Sequence, residues 1–329
     1  MRIRSSWTRA DSISISDPTL PASMPGPTTR LFRPCPRLIS RVIPASWLVA
    51  QDPDDESTSV LLERTQGEQT KISRSQAKMT TNYNHLSDKY DQTKINPLRK
   101  YVDEFTLLNV LGNVRGKSVL DLGCGDGHYT RIVKSQGAAQ VVGVDISQAM
   151  IAHARSQEQQ TSLGIEYRVQ DVADLERIGS FDIALAVYLF PYAATRRQLS
   201  EMCHSVYRNL KPGGKLVAAI MNPAVAKAEL PCYQKYGVTV TAPTGLQDGA
   251  AITSSLEIPG GSVDLSVYYW SQAIYEQTLK EAGFQRIVWH PMEVAEEAIQ
   301  RYGQDYWQTF QAKSLDIVFE CYKPADQKG

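Results

Sequence analysis

Long apolar runs are missing from this 329-residue chain. The nearest approach, LISRVIPASWLVA, is broken by Arg41 and Pro44 and falls short of the roughly 18 to 20 residues that span a bilayer, so no membrane role is expected. Cysteine is scarce as well. Cys35, Cys124, Cys203, Cys232 and Cys321 are odd in number and contain no C-x-x-C spacing, which argues against a structural zinc site and points to a reducing compartment. Charge of one sign is also lacking: 35 basic residues stand against 35 acidic ones, so no global field draws the chain to nucleic acid or to an anionic membrane.

Other scarcities are local. All 16 tyrosines lie at or after Tyr83 and only Gly26 and Gly67 of 21 glycines precede it, whereas eight of 17 prolines lie at or before Pro53. Residues 1–80 show neither helical periodicity nor alternation, and cannot bury enough apolar surface to offset an ordering entropy of roughly 1 to 2 kcal/mol per residue. They are expected to form a disordered N-terminal extension. Residues 1–50 hold seven arginines, no lysine and two acids, Asp11 and Asp17, a bias seen in mitochondrial transit peptides, although the prolines interrupt any amphipathic helix. Met79, opening MTTNYNHLSDKY, reads as a natural start. The expected location is cytoplasmic, with the mitochondrion as the alternative if the Arg- and Ser-rich segment is a transit peptide.

Residues 81–329 read as one domain. LRKYVDEFTLLNVL has Leu98, Tyr101, Val102, Phe105, Leu108 and Val110 near helical spacing, and Gly112 ends that helix. Strand and helix then alternate: SVLDLG, a helix from about His128, VVGVD, a helix capped by Ser147, IEYRVQD, FDIALAVYL, a helix from about Thr195 to Leu210, and GKLVAAI. LKPGGK supplies the turn into the last of these strands. The alternation predicts an α/β, doubly wound, mainly parallel sheet covered on both faces. Beyond Met221, residues 222–270 read as an insertion in which AITSSLEI and SVDLSVYYW flank PGG as a β-hairpin. A helix bearing Tyr275, Leu279 and Ala282 ends at Gly283, and FQRIVWH and LDIVFECY, separated by a 20-residue excursion, complete seven strands as an antiparallel pair.

The functional signal begins in VLDLGCGDGHYT, where a strand enters a turn holding Gly123, Gly125 and Gly127 before a helix. In doubly wound sheets ligands bind beyond the carboxyl ends of the strands, and the missing side chains admit a close approach. The G-x-G-x-G spacing differs from the G-x-G-x-x-G that cradles a pyrophosphate, so phosphate is not the favoured guest. Asp145, at the end of VVGVD, is placed to accept hydrogen bonds from both hydroxyls of a ribose. Asp171, after the third strand, can accept from the exocyclic amine of an adenine, with Ile146 and Val172 as apolar contacts to the ring.

DLGCGDG, VVGVDIS, QDVADL, FDIALAVYLF and LKPGGKLV, in this order, resemble the successive motifs of the class I S-adenosylmethionine-dependent methyltransferases over about residues 85–322. The resemblance implies a Rossmann-like methyltransferase fold with S-adenosyl-L-methionine as cofactor. Gly123, Cys124 and Gly125 would pass its methionine part, Asp145 would hold the ribose and Asp171 the adenine, with Ile146, Met150, Val172 and Tyr188 completing the site. NPLRKYVDEFTLLNVLGNVRGKSVLDL, VVGVDISQAMI and RYGQDYW resemble the toxoflavin-synthase-like small-molecule methyltransferases. FPYA, Phe190 to Ala193, departs from the more polar Asn-Tyr-Ala of that subgroup.

Other residues have two readings. Asp121 either orients the glycine loop or approaches the cofactor amine. Tyr90 either covers the methionine end of the cofactor or packs a helix. Trp270 and Tyr188 lie where an acceptor can sit and are also candidates for core. No general base stands out, His290 and Tyr192 being the catalytic candidates. An amine or ring nitrogen with a free lone pair needs no strong base, which favours nitrogen over oxygen as the acceptor atom. The expected substrate is a small molecule of secondary metabolism, with no nucleic acid, membrane or metal involved. The rival readings are an RNA or protein methyltransferase, a nicotinamide oxidoreductase and a cofactor-binding protein without catalysis.

Overall fold

The computed structural model describes Thr93 and residues 96–326, all within one unit of the chain, Ser57–Gly329. The expectation for residues 1–80 therefore lies outside the described residues.

A five-residue π-helical turn, Arg99–Asp103, runs into α1 (Glu104–Leu111). The single helix expected here is thus wound in two ways, with Asp103 at the junction. Next come β1 (Ser118–Leu122), α2 (His128–Ser135), β2 (Gln140–Asp145), α3 (Gln148–Thr161), β3 (Glu166–Val169) and β4 (Phe181–Val187). A 3-10 turn at Phe190–Tyr192 leads to α4 (Arg196–Asn209) and β5 (Leu210–Met221). Caps set two of these boundaries: the Ser147 hydroxyl accepts from Met150 N at 3.3 Å and that of Thr195 from Gln198 N at 3.1 Å. The LKPGGK turn is absorbed into an irregular start of β5, where the register against β4 shifts between Phe181 and Ile183.

The insertion holds more than a hairpin. After a 3-10 segment, Lys227–Tyr236, β6 (Val238–Thr241) pairs with β7 (Ala251–Ile258), which pairs with β8 (Gly261–Tyr268), giving a separate antiparallel three-stranded sheet. The chain returns through α5 (Gln272–Glu281) and β9 (Gln285–Pro291). Two short helices, α6 (Glu296–Tyr302) and α7 (Gln304–Ala312), fill the excursion before β10 (Asp316–Tyr322).

The main sheet has seven strands in the order β3-β2-β1-β4-β5-β10-β9. β1 to β5 are parallel, and β10 is antiparallel to both β5 and β9. Side chains alternate between two cores. Val119, Ile183, Leu185, Val217 and Ala219 face one side; Leu120, Ala184, Ala186, Leu216 and Ala218 face the other. Each fully buried Val, Leu or Ile contributes roughly 1.5 to 3 kcal/mol of apolar burial, and this period-two pattern fixes the register. Two connections reverse direction between β1 and β4, so a crevice opens at their carboxyl ends. Because β10 runs antiparallel, its first residue, Asp316, pairs with Met221, the last of β5, and is carried to that same edge.

Candidate functional site

One cavity at this edge encloses about 1460 Å³ of space not filled by protein atoms, counting the solvent at its mouth. Gly123, Gly125, Asp145, Ile146, Met150, Asp171 and Val172 line one part of it. An adjoining cleft shares Arg99, Gly123, Gly125, Val187 and Tyr188 with it and adds Asp121, Cys124 and Asp126. Of the cofactor residues expected from the sequence, Gly123, Cys124, Gly125, Asp145, Ile146, Met150, Asp171, Val172 and Tyr188 thus meet around one connected space. Tyr90 lies outside the described residues.

The glycines of the loop do different work. Gly125, at φ +54°, has open space where a Cβ would stand, so its backbone is bared to the cavity. Gly127, at φ +82°, makes room instead for the Tyr167 hydroxyl, against which a Cβ would collide. The close approach at the second of these is thus made by a neighbouring strand, while the space beside the first is open.

Asp145 ties the loop to β2: Oδ2 accepts from Gly125 N and Oδ1 from Ser147 N, each at 2.8 Å. Burial raises its pKa, against the pull of these backbone N–H groups. Asp171 Oδ1 accepts from Ala173 N at 2.9 Å, which fixes the turn after β3 and brings Val172 to the cavity wall. Asp121 lies on the Val119 face of β1, where α2 supplies the Thr130 hydroxyl at 2.5 Å. Burial pushes the Asp121 carboxyl up to about 7. The Cys124 thiol is driven well above its usual value by burial and by three neighbouring acids, so it remains a neutral filler beside Gly143 rather than a nucleophile.

The other part of the cavity is apolar. Val238, Val240, Ile252, Leu256, Leu265 and Val267 from the three-stranded sheet form a wall opposite Val187 and Met221. Its polar groups include two that sequence reading missed, Asp103 and Asp316. The Tyr188 hydroxyl donates to Asp103 Oδ2 at 2.7 Å, and Asp103 Oδ1, buried, has no hydrogen-bond partner. Burial raises Asp103 to about 6 against the opposing effects of Tyr188 and Arg99, and Asp316 is pushed well above the carboxylate range by burial and by the Asp103 charge. Tyr188 holds φ +57°, a left-handed conformation rare for a bulky residue and a form of strain that clusters at functional sites. Arg99 lies 5.8 Å over its ring. No short motif could have revealed this group, since its members stand at positions 99, 103, 188 and 316.

The catalytic candidates from the sequence separate here. Tyr192 lines the cavity, with a hydroxyl whose pKa is raised by burial. His290 lines neither space. It pairs with Val318 along β9 and β10, with Nε2 3.5 Å from Glu320 Oε1. Trp270 is core: its indole donates to Ala193 O at 2.9 Å. Phe190 of the FPYA segment is likewise buried, stacked on Phe319 with ring centroids 6.1 Å apart, so this departure fills the core beneath the site.

Residues 119–214 match the family model described as a methyltransferase domain. The ubiquinone biosynthesis O-methyltransferase of Coxiella burnetii is 34% identical over 130 residues, covering 39% of this chain and 51% of that protein. The enzyme of the same name from Bradyrhizobium diazoefficiens is 34% identical over 139 residues, covering 39% of this chain and 52% of its own. The chain spans about half the length of the curated relatives it matches. Among solved structures, the complex between the Haloferax volcanii Trm112 methyltransferase activator and a methyltransferase matches at TM-score 0.50 and 17% identity, covering 74% of this chain and 97% of the matched one. At that identity the likeness concerns the fold alone. Residues 119–214 are thus similar to a methyltransferase domain, and the described residues share the fold of a solved methyltransferase, with its mainly parallel seven-stranded sheet.

Proposed function

We propose that this chain transfers the methyl group of S-adenosylmethionine to a small, largely apolar molecule. The observation that carries this reading is that one cavity joins the glycine loop, Asp145 and Asp171 to an apolar wall from the inserted sheet. Asp145 would accept from the ribose hydroxyls and Asp171 from the adenine amine, with Ile146, Met150 and Val172 against the ring. Gly123 to Gly125 would run beside the methionine part, the bared backbone of Gly125 leaving room for it.

The cofactor supplies a methyl group already activated on a sulfonium. What remains for the protein is to hold an acceptor atom in line with the S–CH3 bond, and orientation of that kind supplies roughly 7 to 11 kcal/mol. The wall of β6 to β8 excludes water from the acceptor and sets its size. The names of the curated relatives support a small-molecule acceptor with a hydroxyl group, and the motifs shared with the toxoflavin-synthase-like methyltransferases support a small acceptor as well. The carboxyl pair of Asp103 and Asp316 in the cavity wall supports a hydroxyl acceptor that needs a base.

The test incubates the full chain with methyl-labelled S-adenosylmethionine and separated small-molecule, protein and RNA fractions. Label in the small-molecule fraction is expected. Label confined to RNA or protein, or cofactor binding with label nowhere, would overturn the reading.

A further inference from the structure

Asp103 is 4% exposed, yet its Oδ1 has no hydrogen-bond partner. Leaving a buried acceptor unsatisfied costs free energy, a cost that calls for an explanation in a folded chain. Three further observations point the same way. Asp103 ends a π-helical turn, a feature frequent at functional sites. The Tyr188 hydroxyl spends its proton on Oδ2, so Oδ1 is the oxygen left to receive one. Asp316 lines the same cavity from the start of β10, beside the apolar wall.

We propose that Asp103, with Asp316 as its acidic neighbour, takes the proton from an acidic hydroxyl of the acceptor, phenolic or enolic, as that oxygen is methylated. This rests on the methyl-transfer reading above and names the chemistry of its acceptor. The O–H bond breaks and its proton passes to Asp103 Oδ1. The freed electron pair forms the O–CH3 bond, while the pair of the S–CH3 bond stays on sulfur, leaving neutral S-adenosylhomocysteine. Asp103 then returns the proton to water as product leaves. An amine seated against the ionised Asp103 would be held protonated, without a lone pair for attack, so a hydroxyl is the group this carboxylate suits.

The charged and titratable groups facing Asp103 are Arg99 of its own turn, Tyr188 after β4 and Asp316 of β10, with Tyr129 of α2 behind Tyr188. Arg99 and Tyr188 favour the ionised form of Asp103, whereas burial opposes it, and the result is a carboxyl raised to about 6. A base of that strength is ionised at neutral pH and still takes protons well.

The experiment uses the full chain, with S-adenosylmethionine affinity read by calorimetry and methyl ethers of para-methoxyphenol, phenol and para-nitrophenol read by mass spectrometry. The wild type is expected to methylate all three. Asp103→Asn should lose about 100-fold or more of the rate on para-methoxyphenol. It should keep transfer to para-nitrophenol, which ionises unaided near neutrality, and hold its cofactor dissociation constant within about twofold. Tyr188→Phe removes the donor that favours the ionised form of Asp103, so the acid limb of the pH–rate profile should move to higher pH; this decides the matter if Asp103→Asn does not fold. Unchanged rates and pH profile in Asp103→Asn, an unmoved limb in Tyr188→Phe, or a wild type that binds cofactor but methylates none of the phenols would each overturn the proposal. Failure of the wild type to bind S-adenosylmethionine would instead defeat the methyl-transfer reading itself.

Discussion

The two ends of the cavity are built by different means. At the glycine-loop end, turns that directly follow β1, β2 and β3 bring backbone and carboxylates together, and each carboxylate is already engaged by N–H groups one or two residues away or from the neighbouring loop. At the other end an inserted sheet, a π-helical turn and the start of β10 converge from distant parts of the chain. There a buried carboxylate oxygen is left without a partner. On the proposed reading the first end takes a ligand of fixed shape, held by groups that need little rearrangement. The second is an apolar chamber with a small acidic cluster, and a change in its lining changes what fits without disturbing the first.

This division can be broken in several ways, and the largest effect is expected at the loop. Gly127→Ala places a Cβ against the Tyr167 hydroxyl at a left-handed φ. It should lower stability by about 2 kcal/mol or more, measured by denaturant unfolding, and weaken cofactor binding through the displaced loop. An unchanged midpoint would mean that Tyr167 moves aside freely. Next, Asp145→Ala should raise the cofactor dissociation constant tenfold or more, about 1.4 kcal/mol, because it removes the ribose acceptor and releases Gly125. An unchanged constant in a folded variant would remove the ribose assignment. Ser147→Ala takes the cap from α3 and should cost about 1 kcal/mol of stability, seen as a lower unfolding midpoint with little change in turnover.

The smallest effect concerns pH. The Asp121 carboxyl, raised to about 7 by burial, is neutral below that value and negative above it. Affinity for the cationic cofactor should therefore rise as pH increases through about 7, by a few-fold, and Asp121→Asn should flatten the dependence. A profile unaffected by this substitution would place the cofactor's positive charge away from Asp121. By contrast, Val240→Asp at the other end should raise the acceptor KM and leave cofactor affinity alone; movement of both constants would show that the two ends do not act separately.

The same division explains what could be read from the sequence. Strands β1 to β5, with Asp145 and Asp171 at their ends, follow from short motifs in which apolar alternation, a turn and an acid stand within ten residues of each other. Gly127 misleads even there, because its neighbour Tyr167 is 40 positions away and only the sheet brings them together. β6 is four residues long after an irregular segment, too short for its alternation to stand out beside the hairpin. Asp103 and Asp316 carry no local signal at all. Each is one acid at the edge of an apolar stretch, and they become a pair only because β10 runs back against β5 and a π-helical turn precedes the first helix at Asp103. His290 is a candidate by residue type alone, and β9 carries it to the side of Glu320.

The most direct measurement is a crystal structure of the full chain with S-adenosylhomocysteine. The account predicts the ribose on Asp145, the adenine beside Asp171 and Val172, and the sulfur facing the space bounded by Tyr188, Asp103 and the β6–β8 wall. An adenosine bound elsewhere, or a sulfur turned away from that space, would contradict it.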